Sequence, residues 1–131
     1  MITHIHHLGW VVASIDESLH TFRRQIGLEL SEIEQYPGVR VAFLFAGPSM
    51  VELLQPLDGD SDLARFLATR GEGIHHVAYA VRDVARALTE ATDRGLRRLD
   101  SEPRPGARGT LIAFVDPGRP DGVLIEYVQD P

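Results

Sequence analysis

Two segments of the chain decide its fold, IHHLGWVV at residues 5–12 and IHHVAYAV at residues 74–81. The offset between them, 74 − 5 = 69 residues, is about half of the 131-residue chain. Self-similarity at a fixed offset indicates a duplicated structural unit. We therefore expect two strands that begin two equivalent halves of the protein.

A helix signal follows each of these strands. Ser14 and Glu17 form a capping-box pattern with Gly27 at the expected helix end, and Asp83 can cap a second helix that Gly95 ends. Three strand-like runs then follow each helix, at residues 28–35, 39–46 and 50–56 in the first half and 96–102, 110–116 and 123–129 in the second. Each half therefore reads βαβββ, which predicts an α+β fold.

The length of the chain predicts one domain over residues 1–131. We place the first module at about 1–58 and the second at about 72–131. Between them, a periodic apolar pattern predicts a short linking helix over about 61–70.

Composition excludes several classes of function. A net charge of −6 with dispersed basic residues argues against nucleic-acid binding, and no apolar run is long enough to span a bilayer. We expect a soluble, cytoplasmic protein. Because the chain has neither Cys nor Lys, thiolate and Schiff-base chemistry are excluded, and acid-base or metal chemistry falls to His, Asp, Glu or Tyr.

Strand parity selects one histidine from each His-His pair, because adjacent residues of a strand point to opposite faces. His6 and His75 share their faces with bulky residues that should pack on helices. His7 and His76 share theirs with smaller neighbours such as Gly9, Ala78 and Ala80, which leave room for a ligand. His7 and His76 are therefore the better ligand candidates.

A glutamate lies between apolar residues in the last predicted strand of each half, Glu52 in MVELL and Glu126 in VLIEYV. A single strand His or Glu is more often an edge residue or a satisfied hydrogen-bond partner than a metal ligand. Here the same residue types recur at the same places of both halves, and a buried carboxylate is costly unless it is paired or bound. Two imidazoles and two carboxylates suit Co(II), Mn(II), Ni(II) or Zn(II).

Five segments, IHHLGWVV, VELLQPL, GEGIHHVAYAV, SEPRPGARG and GVLIEYV, make the chain resemble the methylmalonyl-CoA epimerases of the vicinal-oxygen-chelate superfamily. The resemblance implies a glyoxalase-like fold, in which paired βαβββ modules form a cupped, mostly antiparallel sheet around one divalent metal. It carries the ligand set over to His7, Glu52, His76 and Glu126. It also implies a homodimer.

The activity implied by this resemblance is epimerisation of (2R)- and (2S)-methylmalonyl-CoA or a closely related acyl-CoA. The α-proton leaves one face of the carbon and returns on the other. In the resemblance Glu126 has a second role as the base, and the metal stabilises the enolate.

Two positions depart from the epimerase pattern. Val41 stands where some epimerases carry a second catalytic Glu, so a metal-bound water, His6 or a nearby carboxylate would have to return the proton. The segment DPGRPDG at 116–122 replaces a His-Pro-Lys segment that is frequent before the final strand.

The remaining candidates are arginines and aromatic residues. Arg104 and Arg108 lie in a loop where they could bind a CoA ester, although loop arginines are usually solvated. Aromatic residues that follow the apolar periodicity of a strand or helix belong to the hydrophobic core far more often than to a ligand-binding pocket. Trp10, Phe22 and Tyr79 are therefore expected in the core. Tyr127 should face away from Glu126.

Two other functions remain open. Fold and ligands alone do not determine chemistry, so a glyoxalase-type isomerase or lyase could use the same metal site. A non-catalytic module that binds a small molecule is the other alternative, against which the complete four-ligand set argues.

Overall fold

A computed structural model describes all 131 residues of the chain. It divides into two compact units. We call residues His7–His75 the N-terminal unit, and Met1–His6 together with His76–Pro131 the C-terminal unit. No helix is long and apolar enough to cross a membrane.

The N-terminal unit contains the first four strands. They are β1 (Ile2–Val11, whose first five residues belong to the C-terminal unit), β2 (Glu29–Tyr36), β3 (Val39–Ala46) and β4 (Ser49–Pro56). β2 pairs with β3 and β3 with β4 in antiparallel hairpins, whereas β4 lies parallel to β1. The first and last strands of the predicted βαβββ module are therefore direct neighbours.

The first helix begins where the capping pattern predicts. The hydroxyl of Ser14 accepts a hydrogen bond from the Glu17 backbone N–H, and α1 runs over Ile15–Leu19. The chain then continues as a π-helical segment, His20–Gln25, before Gly27 adopts a positive φ of 92°. These helices cover one face of the sheet, where a cluster of apolar residues forms the core: Val12, Ile15, Ala42, Leu44, Val51 and Leu53.

The predicted linking helix is present as α2 (Asp62–Arg70). Ser61 caps it by accepting a hydrogen bond from the Ala64 backbone N–H, and the chain leaves it at Gly71, whose φ is 78°.

The C-terminal unit repeats the same plan. Its elements are β5 (Gly73–Val81, which begins in the N-terminal unit), α3 (Val84–Asp93), β6 (Arg97–Arg98), β7 (Arg104–Pro105), β8 (Leu111–Asp116) and β9 (Leu124–Gln129). β9 lies parallel to β5 and antiparallel to β8, while β6 and β7 both pair with β8. Asp83 caps α3 as predicted, because its carboxylate accepts a hydrogen bond from the Arg86 backbone N–H.

One predicted strand is mostly absent. Residues 96–102 were expected to form a strand, but only Arg97–Arg98 pair with β8. The carboxylate of Asp100 accepts a hydrogen bond from the Phe114 backbone N–H and so takes the place of a strand partner between β6 and β7. A side chain thus satisfies a backbone donor that a longer strand would have paired.

Candidate metal centre

β1 delivers one histidine to the interior and keeps its neighbour near the surface. The side chain of His7 is 6% exposed, whereas that of His6 is 13% exposed and its Nε2 lies 3.1 Å from an oxygen of the exposed Asp130. The His7 Nε2 lies 3.3 Å from an oxygen of Glu52, whose side chain is 15% exposed. β1 and β4 thus bring together the two candidates of the N-terminal unit.

The C-terminal unit contains the same pair. His76 and Glu126 are 4% and 5% exposed, and the His76 Nε2 lies 3.0 Å from a Glu126 oxygen. His75, the other member of its pair, packs its ring edge-on to Phe66 of α2 with 5.3 Å between centroids. In both units the buried histidine is the one that strand parity favours.

Strand register explains why these pairs form. Glu52 on β4 lies opposite Gly9 of β1, two residues after His7, and Glu126 on β9 lies opposite Ala78 of β5, two residues after His76. Small residues at these two positions leave space above the sheet for the carboxylate and the imidazole. The duplication therefore extends from the sequence to the pairing geometry.

Two phenylalanines complete this repeated arrangement, and sequence reasoning missed both. Phe43 on β3 lies opposite Glu52, and Phe114 on β8 lies opposite Glu126. The Phe114 ring also meets the His76 ring edge-on, with 5.3 Å between centroids. The signal was the repeated Ala-Phe pair, at residues 42–43 and 113–114.

Both His-Glu pairs fit the donor set of a divalent cation. For metal–ligand bonds of about 2.1 Å, adjacent ligands in tetrahedral or octahedral coordination are about 3.0–3.4 Å apart. The two measured separations, 3.3 and 3.0 Å, lie in that range. A neutral imidazole nitrogen and a carboxylate oxygen are ligands that Zn(II), Co(II), Mn(II) and Ni(II) accept.

Arg104 is held in place beside the second His-Glu pair. Its Nε donates to Asp100 at 2.8 Å, and its guanidinium carbon lies 5.7 Å from the centroid of the Phe114 ring. Because that ring also packs on His76, Arg104 is connected to the candidate site through one aromatic side chain. Arg108 lies at the turn after β7 with a positive φ of 60°.

The other aromatic candidates belong to the core, as expected. Trp10 and Phe22 meet edge-to-face with 5.2 Å between centroids against the apolar cluster of the N-terminal unit, and Tyr79 packs on that of the C-terminal unit. Tyr127 is buried in the latter cluster, and this burial raises the pKa of its phenol. Val41 is buried as well.

Comparison with known proteins identifies the superfamily and several relatives of the chain. Residues 6–114 match the family described as the glyoxalase/bleomycin resistance protein/dioxygenase superfamily. An ethylmalonyl-CoA/methylmalonyl-CoA epimerase of Cereibacter sphaeroides is 33% identical over 133 aligned residues, which cover 98% of this chain and 99% of the relative.

Solved structures agree over nearly the whole chain. A hypothetical protein of Bacillus halodurans superposes with a TM-score of 0.91 at 39% identity, covering 97% of this chain and 94% of the other. A variant of the Streptomyces coelicolor methylmalonyl-CoA epimerase, in complex with 2-nitronate-propionyl-CoA, has a TM-score of 0.89 at 35% identity and covers 99% of both chains. The predicted glyoxalase-like fold is therefore confirmed, and the chain belongs to the glyoxalase/bleomycin resistance protein/dioxygenase superfamily.

Proposed function

We propose that this protein is a metal-dependent epimerase that interconverts the two configurations at the α-carbon of methylmalonyl-CoA or a closely related acyl-CoA. The observation that carries the proposal is the pair of a buried His and a neighbouring Glu that recurs at the same register in both units. Relatives of known activity that match the chain over nearly its full length are named as epimerases of this substrate class.

The proposed metal ligands are His7, Glu52, His76 and Glu126. His7 and Glu52 lie together in the N-terminal unit, and His76 and Glu126 lie together in the C-terminal unit. Glu126 enters through its 3.0 Å approach to His76, because a carboxylate so close to a ligand nitrogen can bind the same ion. We propose Co(II), Mn(II), Ni(II) or Zn(II), since all four accept this mixed nitrogen and oxygen set.

The four side chains would divide the chemistry between them. A bound divalent ion supplies positive charge that stabilises an enolate and holds the oxygens of the substrate. Glu126 is the proposed base for the α-proton, since it is a carboxylate within the ligand group. His7, His76 and Glu126 are buried, and burial strengthens electrostatic interactions because the surroundings of the charges are less polar than water.

Arg104 is the better supported of the two proposed contacts to the anionic parts of the substrate. Its hydrogen bond to Asp100 uses Nε and restrains the side chain over Phe114, so less conformational entropy is lost when an anion binds. Arg108, in the same loop, is the second proposed contact. Replacing both with Ala should raise KM for a CoA ester, and an unchanged KM would remove these contacts from the proposal.

The test is exchange of the α-hydrogen. Metal-loaded protein is incubated with methylmalonyl-CoA in deuterated water, and exchange is followed by NMR. Exchange at a rate far above that without protein is expected, and the Glu126→Gln variant should keep the fold and lose that activity. No acceleration by the wild type would reject the epimerase, and turnover of a thiol adduct instead would favour a glyoxalase-type reaction.

Metal content tests the ligand set independently of activity. Wild-type protein should bind one equivalent of Co(II) or Zn(II), as measured by elemental analysis after dialysis. His7→Ala and His76→Ala should each lose most of that metal. Stoichiometric metal that survives both substitutions would refute the site.

We also propose that residues 1–131 act as a single domain with modules at about 1–58 and 72–131, joined by the helix at about 61–70. The division of β1 and β5 between the two compact units supports this. One cooperative transition in thermal unfolding is the expected result, and two separate transitions would contradict it.

A further inference from the structure

β2 contains a bulge that turns its acidic residues toward one face of the N-terminal unit. Leu30 pairs with Leu44 of β3, but Glu32 pairs with the next residue, Phe43, so one extra residue lies between them. A bulge of this kind changes which face the following side chains occupy. Leu30 packs against the helix-covered core, whereas Glu32, directly after the bulge, pairs with Phe43 on the opposite face.

That opposite face is the one that carries the His7–Glu52 pair. Glu32 lies beside Phe43, which in turn lies opposite Glu52. Further along β2, the alternation places Glu34 and Tyr36 on the same face as Glu32. All of these residues belong to the N-terminal unit.

Glu34 lies directly opposite Val41. Val41 is the buried residue at which the resemblance expects a second catalytic glutamate. Directly opposed Cβ atoms in an antiparallel pair are about 5 Å apart, and a Glu side chain is two atoms longer than a Val side chain. Glu34 therefore places a carboxylate in the row of the sheet that contains Val41 and Leu54, one strand further from β4 than Val41.

Tyr36 holds this carboxylate through a hydrogen bond. Its hydroxyl donates to a carboxylate oxygen of Glu34. That bond, with smaller effects of burial and of the charges of Glu34, Glu32 and Glu52, raises the pKa of Tyr36 to about 12. The phenol therefore keeps its proton at neutral pH and remains a hydrogen-bond donor to Glu34.

We propose that Glu34 is the second acid-base group of the epimerase and that Tyr36 is the residue that positions it. This inference rests on the proposed function. It assigns one proton carrier to each half of the duplicated chain, Glu34 from the first and Glu126 from the second. His6, the other residue considered for this role, faces Asp130 instead.

The proton balance is simple. One carboxylate takes the α-proton, and the electron pair of the broken C–H bond passes into the enolate of the substrate. The other carboxyl group, in its protonated form, donates a proton to the opposite face of that carbon and forms the new C–H bond. No oxidant or reductant is required, and the two groups exchange roles in the reverse direction.

The test separates exchange from inversion. Each single enantiomer of the substrate is incubated with enzyme in deuterated water, and both α-hydrogen exchange and interconversion are followed. In Glu34→Gln, interconversion should fall about 100-fold or more, the usual contribution of a positioned acid-base group. Exchange should persist near the wild-type rate for one enantiomer only, the one that Glu126 deprotonates.

Tyr36→Phe tests positioning. Loss of one hydrogen bond to a charged group should lower kcat for interconversion about 10-fold with KM unchanged. Because Tyr36 acts through Glu34, the double variant Tyr36→Phe/Glu34→Gln should interconvert the enantiomers no more slowly than Glu34→Gln alone. If Tyr36→Phe instead damaged the structure independently, the double variant would be slower than Glu34→Gln. Glu17→Gln, on the helix over the other face of the sheet, is the matched control.

Different results would reject the epimerase activity and the role of Glu34. Wild-type protein that exchanges neither enantiomer would reject the epimerase itself. A wild type that exchanges both, with a folded Glu34→Gln variant that interconverts them within about threefold of wild type, would overturn only the role of Glu34. Loss of exchange from both enantiomers in a folded Glu34→Gln variant would overturn it as well, since a second base serves one enantiomer.

Discussion

Replacing Asp100 should lower both the stability of the protein and its affinity for an anionic substrate. One carboxylate oxygen accepts from the Phe114 backbone N–H at 2.8 Å, and the other from Arg104 Nε at 2.8 Å. The side chain of Asp100 is 18% exposed and that of Arg104 is 51% exposed. One residue therefore both completes the pairing of β8 and anchors the candidate substrate contact.

The magnitude follows from these two contacts. In Asp100→Ala the partly buried Phe114 N–H loses its acceptor, which costs about 2 kcal/mol of unfolding free energy. The half-exposed ion pair with Arg104 adds about 0.5 kcal/mol. At roughly 4 °C per kcal/mol for a chain of this size, the melting temperature should fall by about 10 °C.

Two matched variants separate the contributions. Asp100→Asn keeps an oxygen for the Phe114 N–H and should lose only about 1 kcal/mol, because a neutral acceptor is weaker than a charged one. Arg104→Ala should cost at most about 1 kcal/mol in stability, from the exposed ion pair and its contact with the ring. Both Asp100→Ala and Arg104→Ala should raise KM for the acyl-CoA.

The assays are thermal unfolding by circular dichroism and steady-state kinetics of the same preparations. The reasoning would be refuted if Asp100→Ala melted within about 2 °C of the wild type, since an unpaired partly buried N–H should cost more. If Asp100→Ala lowered stability as expected but left KM unchanged, Asp100 would be a structural residue only.

Three further predictions concern single positions in the C-terminal unit. Asp83→Ala removes the cap at the Arg86 N–H and should cost about 1 kcal/mol in chemical denaturation, and an unchanged midpoint would contradict this. Gly106→Ala should lose about 2 kcal/mol, because a Cβ there would lie 2.6 Å from two side-chain atoms; wild-type stability would show that the loop adjusts freely. The pKa of Asp116 is lowered from 3.8, first by the hydrogen bond from the Gly118 backbone N–H and then by Arg97. The ionised carboxylate therefore stabilises the folded protein above pH 3.8, and this stabilisation is lost as the pH falls through the lower pKa of the folded state. Asp116→Asn should therefore differ from wild type at neutral pH and converge with it in acid, and a constant difference across a pH series of melting curves would refute this.

The elements of the fold were largely predictable, because local chemistry specifies them. Ser14 and Asp83 cap their helices as their side chains predict, and the strand at 39–46 has the predicted ends. The π-helical segment at His20–Gln25 was not predicted, since its hydrogen bonds, such as that from Ile26 N to Thr21 O, leave no distinct mark in a short apolar pattern.

The site was predictable only to the level of residue type and strand face. The face of the strand identified His7 and His76 as the buried histidines, because successive side chains of any β-strand point to opposite faces. The contribution of Phe114 depends on its register opposite Glu126, and that of Asp100 depends on a loop that returns to β8. Neither pairing can be read from residues that are far apart along the chain.

The sequence by itself predicted the duplicated βαβββ plan, and it indicated which His of each pair is buried, because alternation and capping act over a few residues. Only the tertiary structure decided which residues face one another. The parallel register that sets Glu52 opposite Gly9 comes from pairing between strands that are far apart along the chain, and the bulge that turns Glu34 to the face of His7 comes from the pairing of β2 with β3. Packing of the whole unit selects that register, and no local preference encodes it.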